Sequence, residues 1–361
     1  MNKKVSIILV NYNWLKFNKS CIESIFLQTY KNFEIVFVDN ASTDWSLEEV
    51  EKIFAKEILE KKIIVVKNKN NEWFSNWNNI GHQNSSKDSE YVCMLNNDTT
   101  LPTDWLEKLV DGIESDKSLW AVWSVILDKW YENKIKEKIF EKKKIVTSSL
   151  IWESVWKDIS ENEFKKWIFY TSVLSGCCLM YRKEIVEYPF PPFYFAYAED
   201  FFLSRLILLK WYKMAVVWNS FVYHAGSWSF GKKPSNMKLF YGNRNQILNF
   251  ILFYNLWTKL KLLPLFLITQ VAHLWINVPF KRLNAKVKAR IWIIRHKGEI
   301  KNMRAYIIKQ SRISHKELLN NLSYKFNDEV FFAQQKKWQI ILIKIVNELF
   351  KHYCQFWDIS K

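Results

Sequence analysis

Four acids and one imidazole stand where a chain could act on a charged ligand. Asp39 ends the apolar run Glu34–Asp39 and opens Asn40-Ala41-Ser42. An acid just beyond a strand can accept hydrogen bonds from a ribose or a base; the same turn-rich residues are also an ordinary turn or helix cap. Asp98 follows Tyr91–Leu95 in Asn96-Asn97-Asp98-Thr99. A carboxylate there can hold a hard cation that bridges two phosphates, or simply complete a turn. Glu199-Asp200 leads an aromatic stretch into a helical pattern, and His224 closes the strand-like run Val216–Tyr223. A lone histidine at a strand end is more often structural than functional.

These residues need strands that end together. Val5–Val10, Glu34–Asp39, Ile63–Val66 and Tyr91–Leu95 are short aliphatic and β-branched runs. Between them, Leu15–Gln28, Leu47–Leu59, Asn76–Ser86 and Thr103–Ser115 carry helical spacing. This alternation predicts a mostly parallel sheet with helices on both faces. Ligands of such sheets bind beyond the carboxyl ends of strands, where Asn11–Asn13, Asp39 and Asp98 all fall. Residues 128–168 are charge-rich and read as an insertion or hairpin; order returns at Thr171–Tyr181. After about Ser235 long helical patterns replace the alternation. The expected division is 1–235, with halves near 1–127 and 128–235, and a helical, basic region over 236–361.

Composition removes several function classes. Hydrophobic residues at 49% and charged residues at 25% describe a packed chain of 361 residues. The run Val5–Val10 is too short for a signal-peptide core. The five cysteines form no C-x-x-C pair, so no zinc site is read and reduced thiols in a cytoplasmic core are expected. No G-x-G-x-x-G follows the first strand and no G-x-x-x-x-G-K-[ST] occurs, against a dinucleotide oxidoreductase and a P-loop NTPase. The net charge of +17 suits a polyanionic partner. A basic nucleic-acid-binding protein is the rival of another class, but no zinc-finger or RNP-type motif supports it. Residues 281–312 hold eleven Lys or Arg against the single acid Glu299, so the excess lies outside the alternating part.

As an ordered set, the motifs are more specific than any one of them. They run Asn11-Tyr12-Asn13, Val38-Asp39-Asn40-Ala41-Ser42-Thr43-Asp44, Asn78-Asn79-Ile80-Gly81, Leu95-Asn96-Asn97-Asp98-Thr99, Ser175-Gly176-Cys177-Cys178-Leu179-Met180, Glu199-Asp200 and Tyr223-His224. Over roughly residues 3–250 this resembles the family 2 glycosyltransferases of the GT-A fold, especially rhamnosyltransferase-like members of bacterial cell-surface polysaccharide pathways. The resemblance implies an α/β, Rossmann-like catalytic domain and inverting transfer of a sugar from a nucleotide-diphosphate donor. The first guess for the donor is dTDP-rhamnose, and for the acceptor a glycan or polyprenyl-linked glycan. It implies that Asn11, Tyr12, Asp39, Asn79 and Asn97 hold the nucleotide sugar. Asp98 and His224 would hold Mg²⁺ or Mn²⁺, and Asp200 would be the catalytic base with Glu199 beside it. Asn96 stands where the family often has a first acid, and Phe202 where this branch usually has a further aspartate. Arg182 and Arg205 are open between phosphate contacts and ordinary salt bridges. A catalytically dead sugar-nucleotide-binding module is a third reading, opposed by the retained Asp98, Asp200 and His224.

Two further features complete the expectation. Leu260–Ile276 is apolar but interrupted by Pro264, Thr269, Gln270 and His273, and falls short of the ~20 residues that span a bilayer. It reads as a buried helix or as an interfacial segment that, with the basic stretch after it, would place a cytoplasmic protein on an anionic membrane face. The chain also has 7 Gly and 19 Trp, where ordinary usage predicts roughly 25 Gly; the two counts together match that number. The resemblance puts glycine at several tryptophan positions, namely Trp14, Trp45, Trp73, Trp77, Trp120, Trp123, Trp211 and Trp228, whereas Trp105 falls where tryptophan is usual. A gene whose UGA codons mean glycine, translated with UGA as tryptophan, would give this pattern; a tryptophan-lined carbohydrate site would explain the surplus but not the deficit.

Overall fold

The computed structural model describes residues 3–128, 144–148, 154–158, 167–225, 236–277, 283–325 and 337–359. Strand β1 (Val5–Asn11) is the spine. It pairs in parallel with β2 (Phe33–Asp39) and β4 (Tyr91–Asn96), and β2 pairs in parallel with β3 (Ile63–Lys67). The register sets Asn11 opposite Asp39 and Val10 opposite Asn96, so three strands end at one level.

Beyond β4 the sheet becomes mixed. Strand β10 (Cys178–Arg182) runs antiparallel to β4 and to β6 (Leu119–Asp128), which lies parallel to β11 (Lys213–His224). The two-residue β5 (Thr99–Thr100) and β9 (Ile168–Thr171) pair antiparallel with β11. The described part of 128–168 is an antiparallel pair, β7 (Lys144–Ser148) with β8 (Ser154–Asp158). The expected parallel sheet is thus its first half, β3-β2-β1-β4, and the mixed half is an extension that the alternation did not announce.

Period-two alternation divides the core. On β1, Val5, Ile7 and Leu9 face a cluster built with α1 (Leu15–Phe26), α2 (Ser46–Ile53) and α5 (Trp105–Glu114). Ile8 and Val10 face the other cluster, which also takes in α6 (Glu199–Leu209) and residues of the C-terminal helices such as Leu248, Ile300, Met303 and Phe350. The expected helix 47–59 is broken at Phe54 into α2 and α3 (Ala55–Leu59), while α4 (Trp73–Asn84) begins three residues earlier than expected. Gly81 lets α4 lie on the sheet: a Cβ there would come within 2.4 Å of Ile8 Cγ2.

After β11 the chain is helical: α7 (Asn236–Phe253), α8 (Leu256–Asn277), α9 (Leu283–Arg295), α10 (Lys297–Gln310), α11 (His315–Asn320) and α12 (Lys337–Phe356). Among the described residues no helix is long and apolar enough to cross a membrane.

Candidate active site

A cavity of about 420 Å³ opens beyond the ends of β1 and β4, lined among others by Tyr12, Trp14, Trp73, Trp77, Asn97 and Asp98. This is where a sheet of this kind takes a ligand. Behind the wall lies a buried amide network. The Asn11 Nδ2 hydrogens are shared among Asp39 Oδ1 at 2.7 Å, Ser46 Oγ at 2.8 Å and Ser42 Oγ at 3.0 Å. Asn11 Oδ1 accepts from Asn18 Nδ2 at 2.9 Å, and Asn97 Nδ2 donates to Asn18 Oδ1 at 2.7 Å. The second oxygen of Asp39 accepts from the Ser42 N–H at 3.1 Å. Asn11 and Asp39 are therefore fixed by each other, and Tyr12 and Asn97 come forward to the cavity.

Asp98 and His224, which are 126 positions apart in the numbering, are brought together by a long-range pairing. Strand β5 joins the end of β11, Thr99 opposite His224, and the Ala225 N–H bonds to the Asp98 carbonyl at 2.9 Å. His224 Nε2 then lies 3.1 Å from Asp98 Oδ1 and 3.5 Å from Asn96 Nδ2. A carboxylate oxygen is a donor for Mg²⁺ or Mn²⁺, and an imidazole nitrogen beside it fits Mn²⁺ better than the oxygen-seeking Mg²⁺. Among the described residues no group of three or more His, Cys, Asp and Glu could hold a metal, so such an ion needs oxygens from its ligand as well. The pair could supply two of such an ion's ligands.

Glu199 and Asp200 open α6, with Gly176 beside them: a Cβ on Gly176 would lie 3.8–3.9 Å from both side chains. The Cys177 carbonyl accepts from the Asn96 N–H at 2.9 Å, tying this segment to the end of β4. Burial pushes both carboxyls up, and their mutual repulsion adds to the rise at Glu199. Glu199 Oε2 is buried with no hydrogen-bond partner among the described residues. Buried neighbouring carboxyls whose protons are held this tightly suit acid–base work.

The segment that delivers them is clamped by α7, which the sequence reading missed. Asn245 Nδ2 lies 2.7–3.0 Å from the carbonyls of Tyr194, Ala196 and Tyr197. Asn249 Nδ2 reaches the Ala198 carbonyl at 3.3 Å, and Arg244 Nη2 donates to the Tyr194 carbonyl at 2.8 Å. A signal existed: Asn245 and Asn249 are one turn apart, and buried polar side chains in a helix need partners.

Other expected residues lie elsewhere. Asn79 does not line the cavity; both ends of its amide are spent on the Phe190 backbone, at 2.8 and 3.1 Å. Arg182 is a structural residue, bound to Glu114 at 2.9 Å and the Leu119 carbonyl at 3.1 Å. Arg205 is buried within α6 and does not line the cavity.

Known proteins resemble this chain in sequence and in fold. The family described as "Glycosyl transferase family 2" matches residues 6–188. An uncharacterized glycosyltransferase of Haemophilus influenzae is 30% identical over 224 residues, covering 59% of this chain and 64% of its own. Glycosyltransferase GlyA of Streptococcus pneumoniae serotype 4 is 33% identical over 113 residues, covering 31% of this chain and 15% of its own. The chain thus spans less than two thirds of the length of either relative. Among solved structures, S. aureus TarS 1-349 in complex with UDP-GlcNAc has a TM-score of 0.54 at 16% identity, over 85% of this chain and 88% of that one. The mannosyltransferase PcManGT of Pyrobaculum calidifontis, in complex with GDP-Man and Mn²⁺, has a TM-score of 0.50 at 16% identity, over 85% of each chain. With the family matched over half its length and the fold shared with these neighbours, the chain belongs to glycosyl transferase family 2 and has the GT-A fold.

Proposed function

We propose that the protein is an inverting glycosyltransferase that uses a nucleotide-diphosphate sugar, with residues 1–235 as its catalytic part. The observation that carries this is the placement of the Asp98–His224 pair at a strand-end cavity, with the raised Glu199–Asp200 carboxyls tied to the same strand end. Tyr12 and Asn97 contact the nucleotide, and Asn11 and Asp39 shape its pocket from behind. When bound at Asp98 and His224, Mn²⁺ or Mg²⁺ offsets the charge of the leaving diphosphate. Asp200 takes the proton of an acceptor hydroxyl. That oxygen bonds to the anomeric carbon from the face opposite the nucleotide, the carbon–oxygen bond to the diphosphate breaks, and the nucleoside diphosphate leaves. One displacement inverts the configuration. The complexes of TarS with UDP-GlcNAc and of PcManGT with GDP-Man support a nucleotide-sugar donor. Our first candidate is dTDP-rhamnose, from the likeness of the motifs to rhamnosyltransferases, with a glycan or polyprenyl-linked acceptor of the cell envelope.

The test is a thermal-shift screen of nucleotide sugars with and without Mn²⁺, since ligand that binds only the folded state raises its melting temperature. Asp200→Asn should retain the shift and lose turnover; normal turnover by that variant would remove Asp200 from the base role.

Peripheral attachment to an anionic membrane is part of the same proposal. Leu256, Leu260, Leu263, Leu267 and Val271 are exposed along one side of α8, while Leu262, Leu265 and Thr269 face inward. Lys259 and Lys261 flank the stripe at helical spacing. The basic helices α9 and α10 follow at once, as an interfacial surface requires. A lipid-linked acceptor would be met there.

A further inference from the structure

Eleven described non-glycine residues have a positive φ, and four of them are tryptophan: Trp45 at 65°, Trp73 at 65°, Trp167 at 56° and Trp211 at 67°. An L-residue crowds its own Cβ against the backbone in this region, and bulky ones are rare there. Glycine is the residue that adopts it freely. Yet none of the five described glycines, Gly81, Gly112, Gly176, Gly242 and Gly298, has a φ in the left-handed range. The backbone asks for glycine at places where the chain has indole.

Local hydrogen bonding makes the case strongest at Trp211. Helix α6 ends at Leu209 with Lys210 as its cap. The Trp211 N–H bonds to the Leu208 carbonyl at 2.9 Å, and the Tyr212 N–H to the Ile207 carbonyl at 3.2 Å. That pair of bonds is the Schellman arrangement, whose left-handed residue is usually glycine. Trp45 is left-handed at the cap before α2, and Trp73 is left-handed at the first residue of α4. The rings gain little in return: Trp45 is 73% exposed and Trp211 71% exposed. Trp105 is the contrast. It is fully buried, and its Nε1 donates to Ser124 Oγ at 2.9 Å. The buried Nε1 atoms of Trp77 and Trp123 have no hydrogen-bond partner among the described residues.

We infer that the gene specifies glycine at Trp45, Trp73, Trp167 and Trp211, through UGA codons of a code in which UGA means glycine, and tryptophan at Trp105. Trp14 has an ordinary φ of −124°, so this argument does not reach it, and Trp228 lies outside the described residues. One consequence rests on the donor reading above. The Trp73 ring lies 4.0 Å from that of Phe195 and lines the cavity; with glycine there the cavity widens on that side, beside the loop that leads to Asp200.

The gene's codons decide the inference without reference to activity. UGA at the four positions with UGG at Trp105 is expected; UGG at the four overturns it. A second measurement is independent of the gene. The chain carrying Trp45→Gly, Trp73→Gly, Trp167→Gly and Trp211→Gly should unfold on the order of 10 °C higher than the chain as written. An unchanged or lower melting temperature overturns the backbone argument. Trp105→Gly, as a control, should lower it. If the fourfold variant is stabilised but binds no nucleotide sugar, the donor reading fails and the glycine inference stands.

Discussion

Replacing Asn11 with alanine tests how the donor pocket is held. Its amide is buried, and both of its ends are engaged. Ser42 and Ser46 can turn their hydroxyls elsewhere, but two groups cannot. Asp39 Oδ1 loses its 2.7 Å donor, and Asn18 Nδ2 loses its 2.9 Å acceptor. A buried polar group left without a partner costs about 1–3 kcal/mol, more where it is charged. Asn11→Ala should therefore cost roughly 4 kcal/mol, a large share of the ~5–15 kcal/mol that a folded protein has. Urea unfolding would show the loss as a lower midpoint at unchanged slope. Asn84→Ala is the control, because that exposed side chain makes one bond to the Ile80 carbonyl; it should change stability by less than about 0.5 kcal/mol. A loss below about 1 kcal/mol at Asn11 would show that water or Ser42 takes over its role, and the network would not be what fixes Asp39.

Two other results should follow. Activity and stability should respond to pH in opposite directions. Asp200, pushed up to about 6, must be ionised to act as base, so turnover should rise through that pH. Because the folded pKa values of Asp200 and Glu199 exceed the unfolded values of roughly 4, their contribution to stability is complete below the unfolded values. It is lost as pH rises through about 6 and about 8; Glu199→Gln should flatten the pH dependence of melting, and an unchanged profile would count against the pair. At the membrane, Leu260→Glu with Leu267→Glu should weaken co-sedimentation with phosphatidylglycerol vesicles on the order of a hundredfold. Equal binding by the variant and the parent chain would remove the α8 stripe from that role. Point changes are the right tool because Ile300, Met303 and Phe350 belong to the same core cluster as the sheet, so truncation would unfold what it means to test.

What the sequence made legible was local. Strands β1, β2 and β4 could be placed from continuous apolar runs, and Asp39 and Asp98 from the carboxyl-end rule. The meeting of Asp98 with His224 could not be placed this way, since it depends on a two-residue strand joining the far end of β11. Strand β6 also escaped notice: Trp120 and Trp123 drew attention as glycine positions, and the segment pairs only with β10 and β11, remote in sequence. Asn79 entered the expected site through the resemblance alone; in α4 its amide bonds the Phe190 backbone. The clamp on α7 lies beyond residue 235, in the part read as a helical, basic region. Side-chain-to-backbone contacts over some fifty residues, as from Asn245 to Tyr194, leave no periodic trace.

Two kinds of backbone strain can be told apart in this molecule, and the difference bears on both proposals. Phe195, Tyr197 and Ala198 all have positive φ, at 68°, 69° and 61°, immediately before Glu199. Left-handed non-glycine residues cost of order 1–3 kcal/mol each and persist where the surroundings over-determine them. Here they are over-determined: Arg244, Asn245 and Asn249 fasten the carbonyls of Tyr194, Ala196, Tyr197 and Ala198. Strain held in this way keeps a paired carboxylate in one position, as a base that must meet an acceptor hydroxyl requires. Trp45 and Trp211 are strained in the same region of φ, but their exposed rings sit at helix ends with no comparable clamp among the described residues. Strain that is clamped beside an active site has a use, whereas strain that is solvent-exposed and uncompensated calls for a different residue. Applied to Trp73, which shares its ring contact with Phe195 and its left-handed backbone with Trp45, the distinction becomes measurable. If Trp73→Gly stabilises the fold and admits donor, the strain there came from the indole. If it loosens the segment before Glu199 and lowers turnover with donor bound, the indole is part of the clamp.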